Sequence, residues 1–130
     1  MNIQVGVKAL ICRDDKYLFL RRTLTFRDGT QEWDIPGGRI EPAEALHVAL
    51  AREVLEETGL VLDNTEVLLA AQDVFVPDRD VHVVRLTYRA TATGTVVISD
   101  EHDGYKWMTR HEVLAEPYVD LYVRKVLETL

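Results

Sequence analysis

Cys12 is the only cysteine in the chain, so no internal disulfide framework can hold the fold. Its place in an apolar run reads as a small buried residue rather than a nucleophile. No apolar stretch approaches the ~18 residues that a helical membrane span needs, so no membrane partner is expected. Met1 to Cys12 lacks the basic-then-apolar pattern of a secretory signal, and the cytoplasm is the default expectation. There is no internal repeat and no low-complexity stretch. Basic residues are in deficit: 15 Lys and Arg against 22 Asp and Glu leave a net charge of −7. A duplex nucleic-acid binder would carry a basic face, so that partner class is not expected. His47, His82, His102 and His111 are scattered without ligand spacing, which speaks against a histidine-rich zinc site.

What remains is a chain of 130 residues, 47% hydrophobic and 28% charged. That is enough for one domain, residues 1–130, with a sizeable core. Residues 3–12 and 17–22 read as strands joined by an Asp14-Asp15 turn. Residues 23–32 read as a loop centred on Asp28-Gly29, and Trp33-Asp34-Ile35 as a short strand stopped by Pro36-Gly37-Gly38. A helical stretch begins at Pro42 and ends at Gly59, a good C-terminal stop. Residues 66–76 and 81–90 are rich in β-formers, with Pro77 to Asp80 as their hairpin connection. Short strands at 95–98 and 104–108 and helices at 110–115 and 119–129 complete the reading. Strands, helix, strands, helix predicts an α/β (α+β) fold with a mixed sheet and helices on its faces.

The densest information lies in residues 37–60. Glu53, Glu56 and Glu57 fall within an arc of roughly 100° on one helix face. Carboxylates this close repel one another, and hard divalent cations with oxygen ligands relieve the repulsion. The same triplet also suits a solvated acidic face. Bound Mg²⁺ or Mn²⁺ would reconcile an acidic protein with a phosphate substrate. Arg52, at the edge of the stripe, can pair with a neighbouring glutamate. Leu46, Val48, Leu50, Val54 and Leu55 point in several directions, which predicts a helix packed on more than one side.

Gly38, Glu44, Arg52-Glu53, Glu56-Glu57 and Gly59 fit one pattern, with Val54 and Leu60 at its aliphatic positions. The pattern runs Gly, five residues, Glu, seven residues, Arg-Glu, aliphatic, any residue, Glu-Glu, any residue, Gly, aliphatic. It resembles, position for position, the box of the Nudix hydrolases. Ile35 to Gly38, Trp107 and the chain length are similar to the small MutT-like members. Ala43 stands where many members carry glycine, a departure expected to matter little. The resemblance implies an αβα sandwich with a catalytic loop-helix-loop. It also implies a metal-dependent attack of water at phosphorus that breaks a diphosphate linkage in a nucleotide-like small molecule.

By that resemblance the metal ligands are Glu53, Glu56 and Glu57, with the carbonyl of Gly37 or Gly38 completing the shell. Glu44 would lie about 180° from Glu53 in an unbroken helix, so it is expected in the loop or first turn, holding the site together. Glu101, six residues before Trp107, resembles the extra acidic residue of MutT-like members, as auxiliary ligand or base; a plain loop charge is the other reading. Substrate contacts are expected from Arg22, Arg79 and Trp33, with Arg21 and Phe75 as further candidates. Strand-end exposure for the arginines and core packing for the aromatics are the competing readings. Arg85 and Arg89 share a strand face and are read as possible solvent-facing residues. The subgroup marks are missing. Val76-Pro77-Asp78 offers no tyrosine of the diadenosine-polyphosphate type, and Pro77 comes slightly late for the ADP-ribose type. Residues 116–120 contain no asparagine of the oxidised-guanine type. A nucleoside triphosphate or diphosphate derivative is the broad expectation, handled by a monomer or homodimer. The competing class is a catalytically inactive nucleotide-binding sensor, which would usually have lost box glutamates.

Overall fold

Asp14 and Asp15 both take left-handed backbone angles, with φ of 52 and 62, and close a two-residue hairpin between β1 (Asn2–Arg13) and β2 (Lys16–Arg22). Such a turn matches the twist of the strands it joins, and Asp tolerates the required angles. The computed structural model describes residues 1–23 and 31–130. The expected loop centre at Asp28-Gly29 therefore lies outside the described residues.

β1 is the centre of the sheet. It runs parallel to β7 (Val81–Ala90) from Asn2 to Ile11. β7 in turn pairs antiparallel with β6 (Val67–Val76) across the Pro77–Arg79 turn. On its other side β1 takes β4 (Gly37–Arg39), and β2 carries β3 (Trp33–Asp34) and β9 (His102–Met108). The path β3-β2-β1-β7-β6, with β4 and β9 attached, forms one mixed seven-stranded sheet. A separate pair joins β5 (Val61–Leu62) to β8 (Ala92–Thr93).

Strand periodicity assigns the two faces. Val7, Ala9, Ile11, Leu18 and Leu20 meet Ala49, Leu50 and Val54 of α1 (Leu46–Thr58). Leu10 and Phe19 point the other way and meet Val113 of α2 (Arg110–Ala115) and Val123 and Leu127 of α3 (Leu121–Glu128). This is the expected αβα arrangement. Among the described residues no helix is long and apolar enough to cross a membrane.

Four expectations need correction. The helix begins at Leu46, not at Pro42. Ala43 has φ 63, which breaks the helical path, and Glu44 N–H closes a turn onto the Glu41 carbonyl instead. Second, α1 packs on one side only: Leu50 and Val54 are buried, whereas Leu46, Val48 and Leu55 are exposed. Third, residues 95–98 form no strand; they run along the end of α1, with Val97 N–H donating to the Thr58 carbonyl and Ser99 N–H to the Glu57 carbonyl. Fourth, Gly37-Gly38 do not only end a strand. They open β4, opposite Lys8 and Val7.

Candidate active site

The pairing of β4 with β1 puts the glycine pair directly beneath the carboxylates of α1. A Cβ on Gly38 would lie 2.6 Å from the Glu53 carboxylate carbon, and one on Gly37 would overlap the Val7 carbonyl. Only glycine lets backbone and carboxylates come this close. Gly37 N–H donates to Glu57 Oε1 at 2.7 Å. Gly59, with φ 72, ends α1 by donating its N–H to the Leu55 carbonyl.

Arg52 organises the other carboxylates. Its Nε and Nη2 reach both oxygens of Glu44 at 2.7 and 2.9 Å, and Nη1 reaches Glu53 Oε1 at 2.8 Å. Nη2 also donates to the Arg39 carbonyl at 3.3 Å. Planar guanidinium geometry suits such a fork. These bonds, with the Glu41 N–H, hold the Glu44 carboxyl down at about 2, and they raise the Arg52 pKa. Glu44 therefore sits before the helix, in the expected loop, where both its oxygens meet Arg52. Glu56 is more exposed and lies 3.6 Å from Arg52.

Glu57 is buried, and burial pushes its carboxyl up to about 7; Glu53 and Glu101 add to the rise, against the opposing Gly37 N–H bond and Lys8. A buried carboxylate with unbalanced negative neighbours calls for positive charge. The donors at hand, Glu53, Glu56, Glu57 and a backbone carbonyl, are all hard oxygens, the set that Mg²⁺ or Mn²⁺ prefers. Among the described residues no three His, Cys, Asp or Glu side chains already converge on one point. By donor chemistry and charge the residues fit a hard divalent ion.

A cavity of about 550 Å³ opens beside Glu57, lined also by Gly37, Lys8, Arg22, Asp34, Glu101 and His102. Glu101 is brought there because Ser99 is tied to the end of α1 and the Glu101 carbonyl accepts from both Thr23 N–H and Oγ1–H at 3.0 Å. His102 Nε2 stands 4.0 Å from Glu57 Oε2, and burial lowers its pKa, favouring the neutral ring. A second recess of about 320 Å³ shares Lys8, Arg22 and Gly37 with the first. It continues over Val74, Val76 and Val83 to Arg85, Asp120 and Tyr122.

Arg22 thus stands at the junction of both recesses. Arg79 is exposed in the β6–β7 turn and lines neither. Trp33 packs against the core under α2 and α3 and exchanges backbone bonds with Tyr118 and Asp120. It too lines neither recess. Arg21 is engaged by Asp103 at 2.8 Å, and Phe75 is exposed against His82.

Arg85 requires a correction, for it does not face solvent. It is 7% exposed, on a strand flanked by β1 and β6, and it pairs with Asp34 at 3.3 Å and Asp120 at 3.0 Å. Arg89 is exposed and outside both recesses. Sequence reasoning also missed Lys8, Asp34, Asp120 and His102. Lys8 gave one signal: a lone charge inside an otherwise apolar strand.

A glycine-backed carboxylate helix thus stands beside a cleft lined by Lys8 and Arg22 on an αβα sandwich. The NUDIX domain model matches residues 2–130, and the chain belongs to that family. A MutT-like protein of Streptomyces ambofaciens is 30% identical over 128 residues, spanning 97% of this chain and 76% of that protein. The CTP pyrophosphohydrolase of Escherichia coli K12 is 32% identical over 111 residues, 85% of this chain and 79% of the relative. The crystal structure of a MutT NUDIX hydrolase from Burkholderia pseudomallei superposes with a TM-score of 0.85 at 28% identity, covering 100% of this chain and 99% of that one.

Proposed function

We propose that this chain is a Mg²⁺- or Mn²⁺-dependent hydrolase that breaks a phosphoanhydride bond in a nucleoside di- or triphosphate derivative by water attack at phosphorus. The observation that carries the reading is the seating of Glu53 and Glu57 on the Gly37-Gly38 backbone, with Glu57 and Gly37 at the wall of a cavity that Arg22 also lines. Glu53, Glu56, Glu57 and the Gly38 carbonyl are the metal ligands in this reading. When bound, the ions offset phosphate charge and make water a competent nucleophile near neutral pH. Arg52, anchored by Glu44, keeps Glu53 oriented. Glu101 lies on the cavity side of Glu57, where it can take the water's proton or add a ligand. The valine-floored second recess suits a nucleoside, with Arg85 and Asp120 as its polar groups. A relative named for CTP pyrophosphohydrolase supports a nucleotide substrate.

We expect a single domain working in the cytoplasm on a small molecule, without duplex nucleic acid, as monomer or homodimer. An inactive sensor is the weaker reading, because Glu53, Glu56 and Glu57 are all retained. Pyrophosphate or phosphate release across a nucleotide panel, with Mg²⁺ and with Mn²⁺, tests the proposal. Turnover of one nucleotide class supports it; tight nucleotide binding without turnover would instead establish the sensor.

A further inference from the structure

At the junction of the two recesses, three cations converge on one carboxylate. Asp34 is 1% exposed. Its Oδ2 accepts from Lys8 Nζ at 3.2 Å and from Arg22 Nη2 at 3.0 Å, and its Oδ1 accepts from Ile35 N–H at 2.7 Å and Arg85 Nη2 at 3.3 Å. Arg85 is shared with Asp120. Lys8 and Arg22 line both recesses and hold on to the same oxygen. Their nitrogens are therefore close enough for one phosphate group to bridge them. Among the described residues, Lys8 Nζ has two acceptors, Asp34 and the Ile35 carbonyl, and an ammonium has three protons to give. Lys8, Arg22 and Arg85 face Asp34, Asp120 and the half-buried Glu32 here, so cationic donors are concentrated at the junction although the protein's net charge is −7.

We propose that Lys8 and Arg22 form a two-cation clamp for the phosphate chain of the substrate, with Asp34 as the positioning residue that sets their spacing. The inference rests on the nucleotide-hydrolase reading and adds Lys8 as a substrate-binding residue. The clamp lies between the carboxylate helix and the valine-floored recess, so it meets phosphate on the path from nucleoside to metal ligands. Asp34 lies beneath the two cations and is already saturated with donors, so its charge is answered before a phosphate arrives. A ligand without phosphate gains nothing from the clamp.

The test uses Lys8→Met, which keeps the stem and removes the charge, and Lys8→Arg, which restores a cation. Binding of a nucleoside triphosphate and of the bare nucleoside is measured by chemical-shift titration in EDTA, and KM and kcat with Mg²⁺ beside them. The clamp predicts that Lys8→Met weakens triphosphate binding and raises KM at least about tenfold, the usual scale for a charged hydrogen bond. Nucleoside binding should stay within about twofold, and Lys8→Arg should recover most of the loss. In combination with Lys8→Met, Asp34→Asn should lose less than the product of the two single losses, because both act on the same contact. If Asp34→Asn does not fold, the two Lys8 variants decide. A folded Lys8→Met with unchanged triphosphate affinity overturns the clamp, and so does an equal loss for triphosphate and nucleoside. If the wild type hydrolyses no nucleotide yet binds triphosphate through Lys8, the catalytic reading fails and the clamp stands.

Discussion

Glu57 carries the clearest consequence of burial at a single residue. Its folded carboxyl titrates at about 7 against an ordinary 4.5, so the folded state holds the proton more tightly than the unfolded chain does. The associated stability is fully present below pH 4.5 and is lost as pH rises through 7, on the order of 3 kcal/mol. The Tm of metal-free protein should therefore fall between pH 5 and 8, and Glu57→Gln should flatten that part of the profile. Parallel profiles for the two proteins would show that Glu57 is not the group responsible. In turnover, Glu53→Gln and Glu57→Gln should each lower kcat on the order of 10²-fold, as loss of a key electrostatic group does, with the fold intact by circular dichroism. Ala43 illustrates a different cost. A left-handed alanine is disfavoured by roughly 1–2 kcal/mol, and glycine gives part of that gain back through the greater freedom of its unfolded chain. Ala43→Gly should raise Tm by about 2–4 °C, and an unchanged Tm would show that the left-handed alanine carries no net cost.

The segment that leads into β9 is held at two points: Ser99 N–H to the Glu57 carbonyl, and the Glu101 carbonyl to Thr23. These bonds fix the backbone while leaving the Glu101 side chain exposed beside the cavity. Glu101→Gln should accordingly lower kcat with almost no change in Tm or in the metal affinity of the free protein. An unaltered kcat would remove Glu101 from the site. Strand and helix existence was legible because residues 3–12 alternate loosely, residues 66–76 and 81–90 are rich in β-formers, and Gly59 marks a helix end by its own chemistry. Boundaries set by tertiary contact were not legible. Ala43 carries no helix-breaking signal, yet its φ of 63 interrupts the helical path and α1 starts only at Leu46. The run at 95–98 has β-forming residues but pairs with a helix end instead of a strand. In the site, Glu53, Glu56 and Glu57, with Arg52 at their edge, were readable from spacing within one segment, and Glu44 through the resemblance of the box. Lys8, Asp34 and Arg85 come from β1, β3 and β7 and meet only through sheet order, which no local pattern states.

At the scale of the whole molecule the charge distribution is divided. The protein is acidic overall; Lys8, Arg22 and Arg85 meet Asp34 at the recess junction, while Glu53, Glu56 and Glu57 gather at the α1 wall with Arg52 and Lys8 as their nearest cations. A polyphosphate placed across both would be attracted at one end and repelled at the other until divalent ions occupy the carboxylates. Metal and nucleotide should therefore bind cooperatively. EDTA should abolish turnover, and excess Mg²⁺ should restore it. Mg²⁺ alone should raise Tm near pH 8, where Glu57 is ionised and its burial is least favourable. It should raise Tm much less near pH 5, where a proton already neutralises that carboxyl and must be displaced. Calorimetric titration of Mg²⁺ with and without a non-hydrolysable nucleoside triphosphate analogue should show tighter metal binding in its presence, and the reciprocal tightening of nucleotide by metal must be equal in free energy. Full activity in chelated buffer, or a Mg²⁺ stabilisation of equal size at pH 5 and pH 8, would show that the carboxylate wall does not hold the ion.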